Sequence, residues 1–145
     1  MKAFDMLYSE FDENCNTLYD TLAKKKIKPD LIVGIARGGL VPAVRLSHMF
    51  DAPLETIKWQ TRDGSVKENN KTVVNAIAKG LCVVFVDDIN DTGTTFQQIK
   101  DHYDDGTNTI FVCVLEKKQS SFKCDYTGAL TDTERWINFP WEGLR

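Results

Sequence analysis

Short apolar runs alternate with helical patterns along most of this chain. Five such runs predict strands. They lie near residues 31–35, 54–58, 81–87, 109–115 and 135–138. Apolar positions spaced for one helical face predict helices over Ser9–Lys25, 39–50 and 92–104. This alternation predicts an α/β protein, a Rossmann-like parallel sheet with flanking helices, with functional residues at the carboxyl ends of the strands.

The length and composition of the chain favour a single domain over residues 1–145. It has 145 residues, of which 42% are hydrophobic, enough for a sizeable core. The formal net charge of −3 argues against sequence-independent binding of nucleic acid, which depends on a basic surface. No apolar stretch approaches the length of a membrane helix, and the first residues carry no basic leader, so we expect neither membrane contact nor a signal peptide.

The four cysteines bear on the cellular compartment. Cys15, Cys82, Cys113 and Cys124 form no C-x-x-C pair, and two of them have apolar neighbours in predicted strands. We therefore expect reduced, buried thiols in a cytoplasmic protein, and neither zinc ligands nor disulfides.

The most informative segment begins as the apolar run Val83–Val86 and continues into acidic residues. Asp87 and Asp88 follow the run directly, and Asp91 comes shortly after them. Adjacent strand residues point to opposite faces of a sheet, so the first two carboxylates need not repel each other fully. Carboxylates in this position accept hydrogen bonds from sugar hydroxyls or bind Mg²⁺ through oxygen.

The turn after these acids fits an anion. It consists of Thr92, Gly93, Thr94 and Thr95 and precedes a predicted helix. Gly93 allows successive N–H groups to converge on one oxyanion, and the helix N-terminus adds partial positive charge. The turn lacks the lysine of a Walker loop, so we expect a monophosphate. Phosphate, sugar and metal together indicate a sugar-phosphate substrate; the simpler interpretation is that an aspartate here only caps a helix.

A second glycine turn follows the apolar run Leu31–Ala36. Arg37 offers a positive fork suited to phosphate oxygens, and Gly38 with Gly39 lets main-chain amides approach a ligand closely. A plain strand-to-helix turn is the alternative interpretation. The presence of the acidic run farther along the chain favours the functional one.

The acidic run resembles the phosphoribosyl pyrophosphate (PRPP) signature of type I phosphoribosyltransferases: an apolar strand, two acids, two variable residues, Asp-Thr-Gly and two further small residues. The resemblance implies that Asp87 and Asp88 hold the ribose hydroxyls and Mg²⁺, with Asp88 as the metal ligand. It implies that Asp91 lies near the incoming base as the catalytic proton acceptor. The residues implied to grip the 5′-phosphate are Thr92, Gly93, Thr94 and Thr95.

Two further segments fit this resemblance. Arg37 and Gly38 match the pyrophosphate loop of the family, in which a cis peptide bond is expected after the residue that matches Arg37. The segment 136–142 is similar to the ending of the xanthine–guanine branch, which places Trp136 on the purine and Ile137 at the base edge. Lys117 is similar to a lysine that donates to the purine 6-oxo group, and its neighbour Lys118 is the alternative. Aromatic residues that close the core, and a solvated lysine, are the simpler interpretations.

The polar stretch 56–71 corresponds to a flexible flap that closes over PRPP in relatives. Arg62, Lys67 and Lys71 are the candidates there for a pyrophosphate contact. Trp59 and Gln60 stand near a Ser-Tyr pair common in relatives that act on 6-oxopurines, so guanine, xanthine and hypoxanthine all stay open. The resemblance also implies a small C-terminal hood over the base and a homodimer or homotetramer.

We therefore predict a Mg²⁺-dependent purine phosphoribosyltransferase of purine salvage, which moves ribose 5-phosphate from PRPP to a 6-oxopurine and releases pyrophosphate. Two alternatives stay open. One is a sensor or regulator that keeps this fold and binds PRPP or nucleotides; the acidic balance and the intact Asp91 disfavour it. The other is a phosphoribosyltransferase with a non-purine acceptor, which the aromatic C-terminal segment disfavours.

Overall fold

The strands and helices of this chain alternate as the hydropathy predicts. A computed structural model describes residues 2–61, 66–104 and 107–143. The strands are β1 (Phe4–Asp5), β2 (Leu31–Ala36), β3 (Leu54–Lys58), β4 (Val83–Asn90), β5 (Thr109–Lys117), β6 (Tyr126–Thr131) and β7 (Ile137–Asn138). The helices are α1 (Tyr8–Lys24), α2 (Leu40–Phe50), α3 (Lys71–Ala78) and α4 (Thr94–Tyr103), with a 3₁₀ turn at Pro140–Glu142.

The central sheet has the order β3-β2-β4-β5-β6, and all of its neighbouring strands run parallel. Parallel neighbours require crossover connections, which α2, α3 and α4 supply as far as β5, whereas the helix-free residues 118–125 connect β5 to β6. The predicted α/β class with a parallel sheet is therefore confirmed. Because β2 and β4 are adjacent and parallel, their carboxyl ends meet at one edge.

The two faces of the sheet carry separate clusters of buried side chains. Phe85 of β4 packs in the cluster that includes α3 and α4, whereas its neighbours Val84 and Val86 pack in the cluster that includes α1 and α2. Phe85 also stacks on Phe111 of β5, with ring centroids 5.3 Å apart. A strand covered on both faces needs a continuous apolar run, which is why residues 83–86 do not alternate with polar ones.

A second, two-stranded parallel sheet joins β1 to β7. The Phe4 N–H donates to the Trp136 carbonyl at 2.8 Å, and the Met6 N–H donates to the Asn138 carbonyl at 2.9 Å. Arg135 adds side-chain bonds to the carbonyls before β1, and its guanidinium lies 5.6 Å from the centre of the Phe4 ring. Residues 135–143, the C-terminal hood, are thus attached to the first strand.

The sequence did not predict β1, α3 or β6. Helix α3 begins at the end of the stretch predicted as flap, where the Asn70 side chain caps it by accepting from the Val73 N–H at 3.2 Å. Strand β6 contains Gly128, which reads as a turn residue. A Cβ there would lie 2.6 Å from the carbonyl oxygens of both Asn14 and Val114, so this glycine serves close packing of α1 and β5 on β6.

No helix in the described ranges combines the length and the apolar character needed to cross a bilayer.

Candidate active site

The sequence predicts that Asp87 and Asp88 end the strand, but in the structure both lie inside β4. The strand continues to Asn90 because Ile89 and Asn90 still pair with β5. The two acidic side chains line different clefts: Asp87 lies in the cleft of residues 92–95, and Asp88 in the cleft of Arg37. This separation matches the opposite strand faces expected for neighbouring residues.

Burial makes ionisation of these two acids costly. Burial, reinforced by the Asp88 carboxylate, raises the pKa of Asp87 well above its ordinary value. Burial also raises the pKa of Asp88 to about 6, and the Glu142 carboxylate acts in the same direction. The Asp88 N–H donates to Asp87 Oδ1 at 2.8 Å, and the Ile89 N–H donates to Asp88 Oδ1 at 2.7 Å. A nearby cation would favour the charged form of both groups.

The loop after β2 packs closely on β4 because two of its residues, Gly38 and Gly39, have no side chain. A Cβ on Gly38 would lie 2.1 Å from Asp88 Oδ2, and a Cβ on Gly39 would lie 2.4 Å from the Val86 carbonyl oxygen. The close approach brings Arg37, Gly38 and Asp88 into one cleft of about 490 Å³. A guanidinium beside a carboxylate can bind an anion together with its counter-cation.

The cis peptide bond of this loop joins Ala36 to Arg37. The sequence predicted it one bond later, after Arg37, so that detail was wrong. The prediction rested on an Arg-Gly-Gly pattern, which identifies the loop without distinguishing between neighbouring bonds. The loop itself lies where it was predicted, between β2 and α2.

The phosphate turn, residues 92–95, connects β4 to α4 as predicted. Gly93 precedes the helix with a φ of +97°, a conformation that favours glycine. Thr92 and Thr94 are exposed, and the Thr92 Oγ1 lies 3.1 Å from the Thr94 Oγ1. These hydroxyls, Thr95 and the first N–H groups of α4 surround a cleft of about 460 Å³ that also contains Asp87.

A buried hydrogen-bond network supports the phosphate turn from behind. The Asn90 amide donates to Glu116 Oε1 at 2.8 Å and to the Phe122 carbonyl at 2.7 Å. Ser120 Oγ lies 3.0 Å from Asn90 Oδ1 and 2.8 Å from the Phe122 carbonyl. A Cβ on Gly93 would lie 2.5 Å from the Phe122 backbone nitrogen. The turn is therefore held against the segment that follows β5.

Lys117 and Asp91 form an ion pair at the end of β5. Lys117 Nζ lies 3.2 Å from Asp91 Oδ1 and donates to the Arg135 carbonyl at 3.2 Å. The lysine is 4% exposed, whereas Lys118 is exposed at the surface. The residue predicted to accept the base proton and the residue predicted to bind the 6-oxo group are thus in direct contact.

The C-terminal hood closes the space beside this pair. Trp136 is 48% exposed, and Ile137 is buried in β7. Both line a cleft of about 190 Å³ together with Asp88 and Asp91. Trp136 also borders the cleft of the phosphate turn. Two of the three predicted base-binding residues therefore line a pocket that shares residues with both of the other clefts, and the third, Lys117, contacts it through Asp91.

The base of the predicted flap pairs with itself and with α4. Trp59 and Lys67 form an antiparallel bridge, and the Tyr103 hydroxyl accepts from the Asn70 N–H at 2.9 Å. Thr61 reaches the cleft of the phosphate turn. Of the three flap candidates, Lys67 and Lys71 are exposed, Lys71 being the first residue of α3, and Arg62 lies outside the described residues.

Several residues of the site were not predicted from the sequence. They are Asn90, Glu116, Ser120, Phe122 and Glu142. Asn90, Glu116, Ser120 and Phe122 form hydrogen bonds or packing contacts within the protein. Asn90 is far from the other three in the sequence, and the pairing of β4 with β5 brings them together. Glu142 borders the Arg37 cleft, and a glutamate in a terminal segment gives no signal that distinguishes it from a surface residue.

Comparison with known proteins identifies the family. The family described as phosphoribosyl transferase domain matches residues 5–142. A xanthine-guanine phosphoribosyltransferase of Nitratidesulfovibrio vulgaris is 30% identical in an alignment of 117 residues, and the alignment covers 77% of this chain and 68% of that protein. This chain belongs to the phosphoribosyltransferase family, and it resembles the xanthine–guanine branch as the sequence motifs predicted.

Solved structures show the same fold over nearly the whole chain. The purine phosphoribosyltransferase from Pyrococcus horikoshii superposes with a TM-score of 0.78 at 30% identity, covering 100% of this chain and 97% of the other. A xanthine-guanine-hypoxanthine phosphoribosyltransferase of Helicobacter pylori has a TM-score of 0.78 at 20% identity, covering 97% and 94% of the two chains. The expected fold of the type I phosphoribosyltransferases is thus confirmed.

The packing of the phosphate turn can be tested with two glycines that share a positive φ. Gly93 has φ +97°, and a Cβ added to it would clash with the backbone of Phe122. Gly80 has φ +73°, and a Cβ added to it would meet open space. Gly80→Ala should cost only the left-handed backbone penalty, about 1–2 kcal/mol. Gly93→Ala should cost more than Gly80→Ala in urea unfolding, and it should weaken phosphate binding. Equal losses of stability would contradict the close packing described here.

Proposed function

We propose that the protein transfers ribose 5-phosphate from PRPP to a ring nitrogen of a 6-oxopurine, releasing pyrophosphate. The observation that carries this proposal is the meeting of three adjoining clefts around Asp88 and Asp91 at one edge of the sheet. One cleft holds hydroxyls and helix N–H groups, one holds an arginine, and one holds an aromatic ring. These are suited to a 5′-phosphate, a pyrophosphate and a base, respectively.

The phosphate turn would bind the 5′-phosphate, and Arg37 with Gly38 would bind the pyrophosphate. Support comes from the exposed hydroxyls of Thr92 and Thr94 and from the orientation of the first turn of α4. Between these two anion sites lie Asp87 and Asp88, which would accept hydrogen bonds from the ribose hydroxyls. A ribose linking two phosphate groups spans this arrangement.

The acids also fit Mg²⁺, which the family resemblance implies. Asp88 lines the cleft of about 490 Å³ that also contains Arg37, and it offers carboxylate oxygens there, the ligands that Mg²⁺ prefers. We propose Asp88 as the residue that holds the ion. When bound, Mg²⁺ supplies positive charge against the pyrophosphate oxygens.

The protein groups around the ribose would stabilise charge as the C1–O bond breaks. The sugar then develops oxocarbenium character, and the carboxylates of Asp87 and Asp88 favour that positive charge. Arg37 and the neighbouring backbone N–H groups would hold the departing pyrophosphate. Asp91 would accept the proton that the purine nitrogen loses on bonding to C1.

Lys117 would donate to the 6-oxo group of the base. Its ammonium carries three hydrogens, and the Asp91 carboxylate and the Arg135 carbonyl lie where they accept two of them. The exposed ring of Trp136 would stack on the purine, and the backbone of Ile137 would contact the base edge. A pyrimidine or amide acceptor would leave much of that ring uncovered, so we favour a purine.

We further propose PRPP and a purine base as the partners of the chain, in a cytoplasmic homodimer or homotetramer. Cys15, Cys82, Cys113 and Cys124 are all unpaired by disulfides, as a reducing compartment would leave them. The sensor alternative is not favoured, because the family match extends over the whole site and Asp91 is in place beside Lys117.

A panel of bases tests the proposed reaction directly. With PRPP and Mg²⁺, guanine, xanthine or hypoxanthine should give pyrophosphate and a nucleoside monophosphate, while uracil and nicotinamide should give neither. Chelation of Mg²⁺ should abolish the release. Pyrophosphate release only with a non-purine base, or with no base in the panel, would overturn the proposal.

Asp91→Asn tests the proton acceptor, since it keeps the size of the side chain and removes the basic oxygen. It should lower kcat about 100- to 10,000-fold, the usual contribution of general base catalysis, while PRPP still binds. Asp101→Asn is the control, because Asp101 is an exposed acid of α4 that bonds only Gln97 among the contacts seen. Full activity of Asp91→Asn would remove this role.

Trp136→Ala tests the stacking of the base. Loss of an aromatic platform costs about 1–3 kcal/mol per base, so KM for the purine should rise roughly five- to hundredfold with KM for PRPP almost unchanged. Trp136→Phe should restore most of the affinity, because it keeps a ring. Equal rises in both KM values would contradict the assignment.

A further inference from the structure

Two thiols and a carboxylate converge behind the phosphate turn, outside the three clefts. The side chains belong to Cys113, Glu116 and Cys124, and one potential ligand atom from each lies within 4.8 Å of the other two. Cys113 and Glu116 are buried, and Cys124 is half-buried. The reaction proposed above uses none of these three groups.

The carboxylate of Glu116 lacks a basic partner although it is 4% exposed. Within the described part of the chain, no lysine or arginine nitrogen lies within 4.0 Å of it, since Lys117 pairs with Asp91. Buried carboxylates are normally paired with a cation or coordinate a metal ion. The neighbouring groups are thiols, which bind soft and borderline metals once they lose their protons.

The three groups are already held in place. Glu116 Oε1 accepts from the Asn90 amide at 2.8 Å and from the Cys124 N–H at 2.8 Å, so the carboxylate and the Cys124 backbone have a fixed relation. Cys113 lies in β5 and its Sγ is 3.5 Å from Thr127 Oγ1, whose hydrogen is directed to the Ala129 carbonyl. Metal-ligating carboxylates typically have such hydrogen-bonded support.

We propose that Cys113, Glu116 and Cys124 form a binding site for a thiophilic divalent ion of the Zn²⁺ class. Two thiolates and a carboxylate provide three ligands of the kinds that Zn²⁺ takes, and a water molecule completes a tetrahedral set. Tetrahedral Zn–S and Zn–O bonds place their ligand atoms about 3.6–3.8 Å apart, so the present separations of up to 4.8 Å would shorten by about 1 Å or less on binding. Mg²⁺ would not compete, because it prefers oxygen ligands alone.

The expectation that no cysteine ligates a metal rested on the absence of a C-x-x-C pair. The fold supplies the missing proximity, because the segment after β5 returns along that strand before β6 begins. The same segment contains Phe122, which packs on Gly93. An ion at this site would therefore tie β5 to the segment that supports the phosphate turn.

Cobalt titration of the full chain tests the site. Reduced, metal-free protein in excess Mg²⁺ should develop a thiolate-to-cobalt charge-transfer band that saturates at one Co²⁺ per chain and disappears on addition of Zn²⁺. Cys124→Ala and Glu116→Gln should weaken the apparent affinity at least about tenfold. Cys15→Ala and Cys82→Ala are matched controls in the same chain and should keep the band. No band, or a band in Cys124→Ala that titrates with the same apparent affinity as in the unsubstituted protein, would overturn the proposal.

A second measurement needs no variant. In the native protein, a thiol reagent should alkylate Cys124 faster than the three buried cysteines, and Zn²⁺ should slow that reaction while Mg²⁺ does not. Mass spectrometry of the digested protein identifies the labelled residue. Alkylation of Cys124 at the same rate with and without Zn²⁺ would overturn the proposal. It would also be overturned if the protein fails to bind cobalt and mild oxidant instead joins Cys113 to Cys124 in a disulfide.

Discussion

The phosphate turn depends on hydrogen bonds made by one buried amide. Asn90 is 1% exposed and joins the end of β4 to Glu116 and to the Phe122 carbonyl. Removing this side chain would leave Glu116 and Ser120 short of a partner, and an unsatisfied buried polar group costs about 1–3 kcal/mol. The same change would remove the hydrogen bond to the Phe122 carbonyl. The backbone of Phe122 packs so closely on Gly93 that only a hydrogen atom fits in place of a side chain there. The position of the phosphate turn thus rests on the bonds of Asn90 to β5 and to the segment that follows it.

Two neighbouring acids dominate the electrostatics of the site. Asp87 and Asp88 are adjacent, and burial raises the pKa of both, so the surroundings disfavour their charged forms. Arg37 lies in the same cleft as Asp88, and Lys117 is occupied by Asp91. Hydroxyl hydrogens or a hard cation placed against these carboxylates would lower that cost, which is the physical basis for the sugar and Mg²⁺ proposed at this site.

The sequence predicted those parts of the site whose functional residues are close together along the chain. Asp87, Asp91 and the phosphate turn stand in one continuous run, so their grouping was visible before any folding. Glu116 and Ser120 join the site only through the parallel pairing of β4 with β5, and a charged residue at position 116 looks like the end of an apolar strand. Strand pairing brings these distant residues together, and no local pattern records it.

The missed elements have a related physical cause. The sequence of β6 shows no apolar run or alternation that predicts a strand, because its residues are only partly buried and Gly128 interrupts them. Its pairing with β5 and its contact with α1 stabilise it, which is a tertiary effect. Strand β1 has two residues and forms only because β7 is available to it. Short apolar patterns cannot predict strands whose stability comes from partners elsewhere.

The attachment of β1 to the hood links the C-terminal segment to the first residues of the chain. A two-residue strand such as β7 is not stable alone, so its register with β1 determines where Trp136 and Ile137 lie. Arg135 reinforces the same junction, since its side chain binds carbonyls before β1 while its own carbonyl accepts from Lys117. One residue therefore holds the hood on one side and Lys117 on the other. The hood and β5 also pack together, since Leu115, Ile137 and Phe139 share one apolar cluster. The position of Trp136 relative to Lys117 therefore depends on the polar junction at Arg135 and on this packing together.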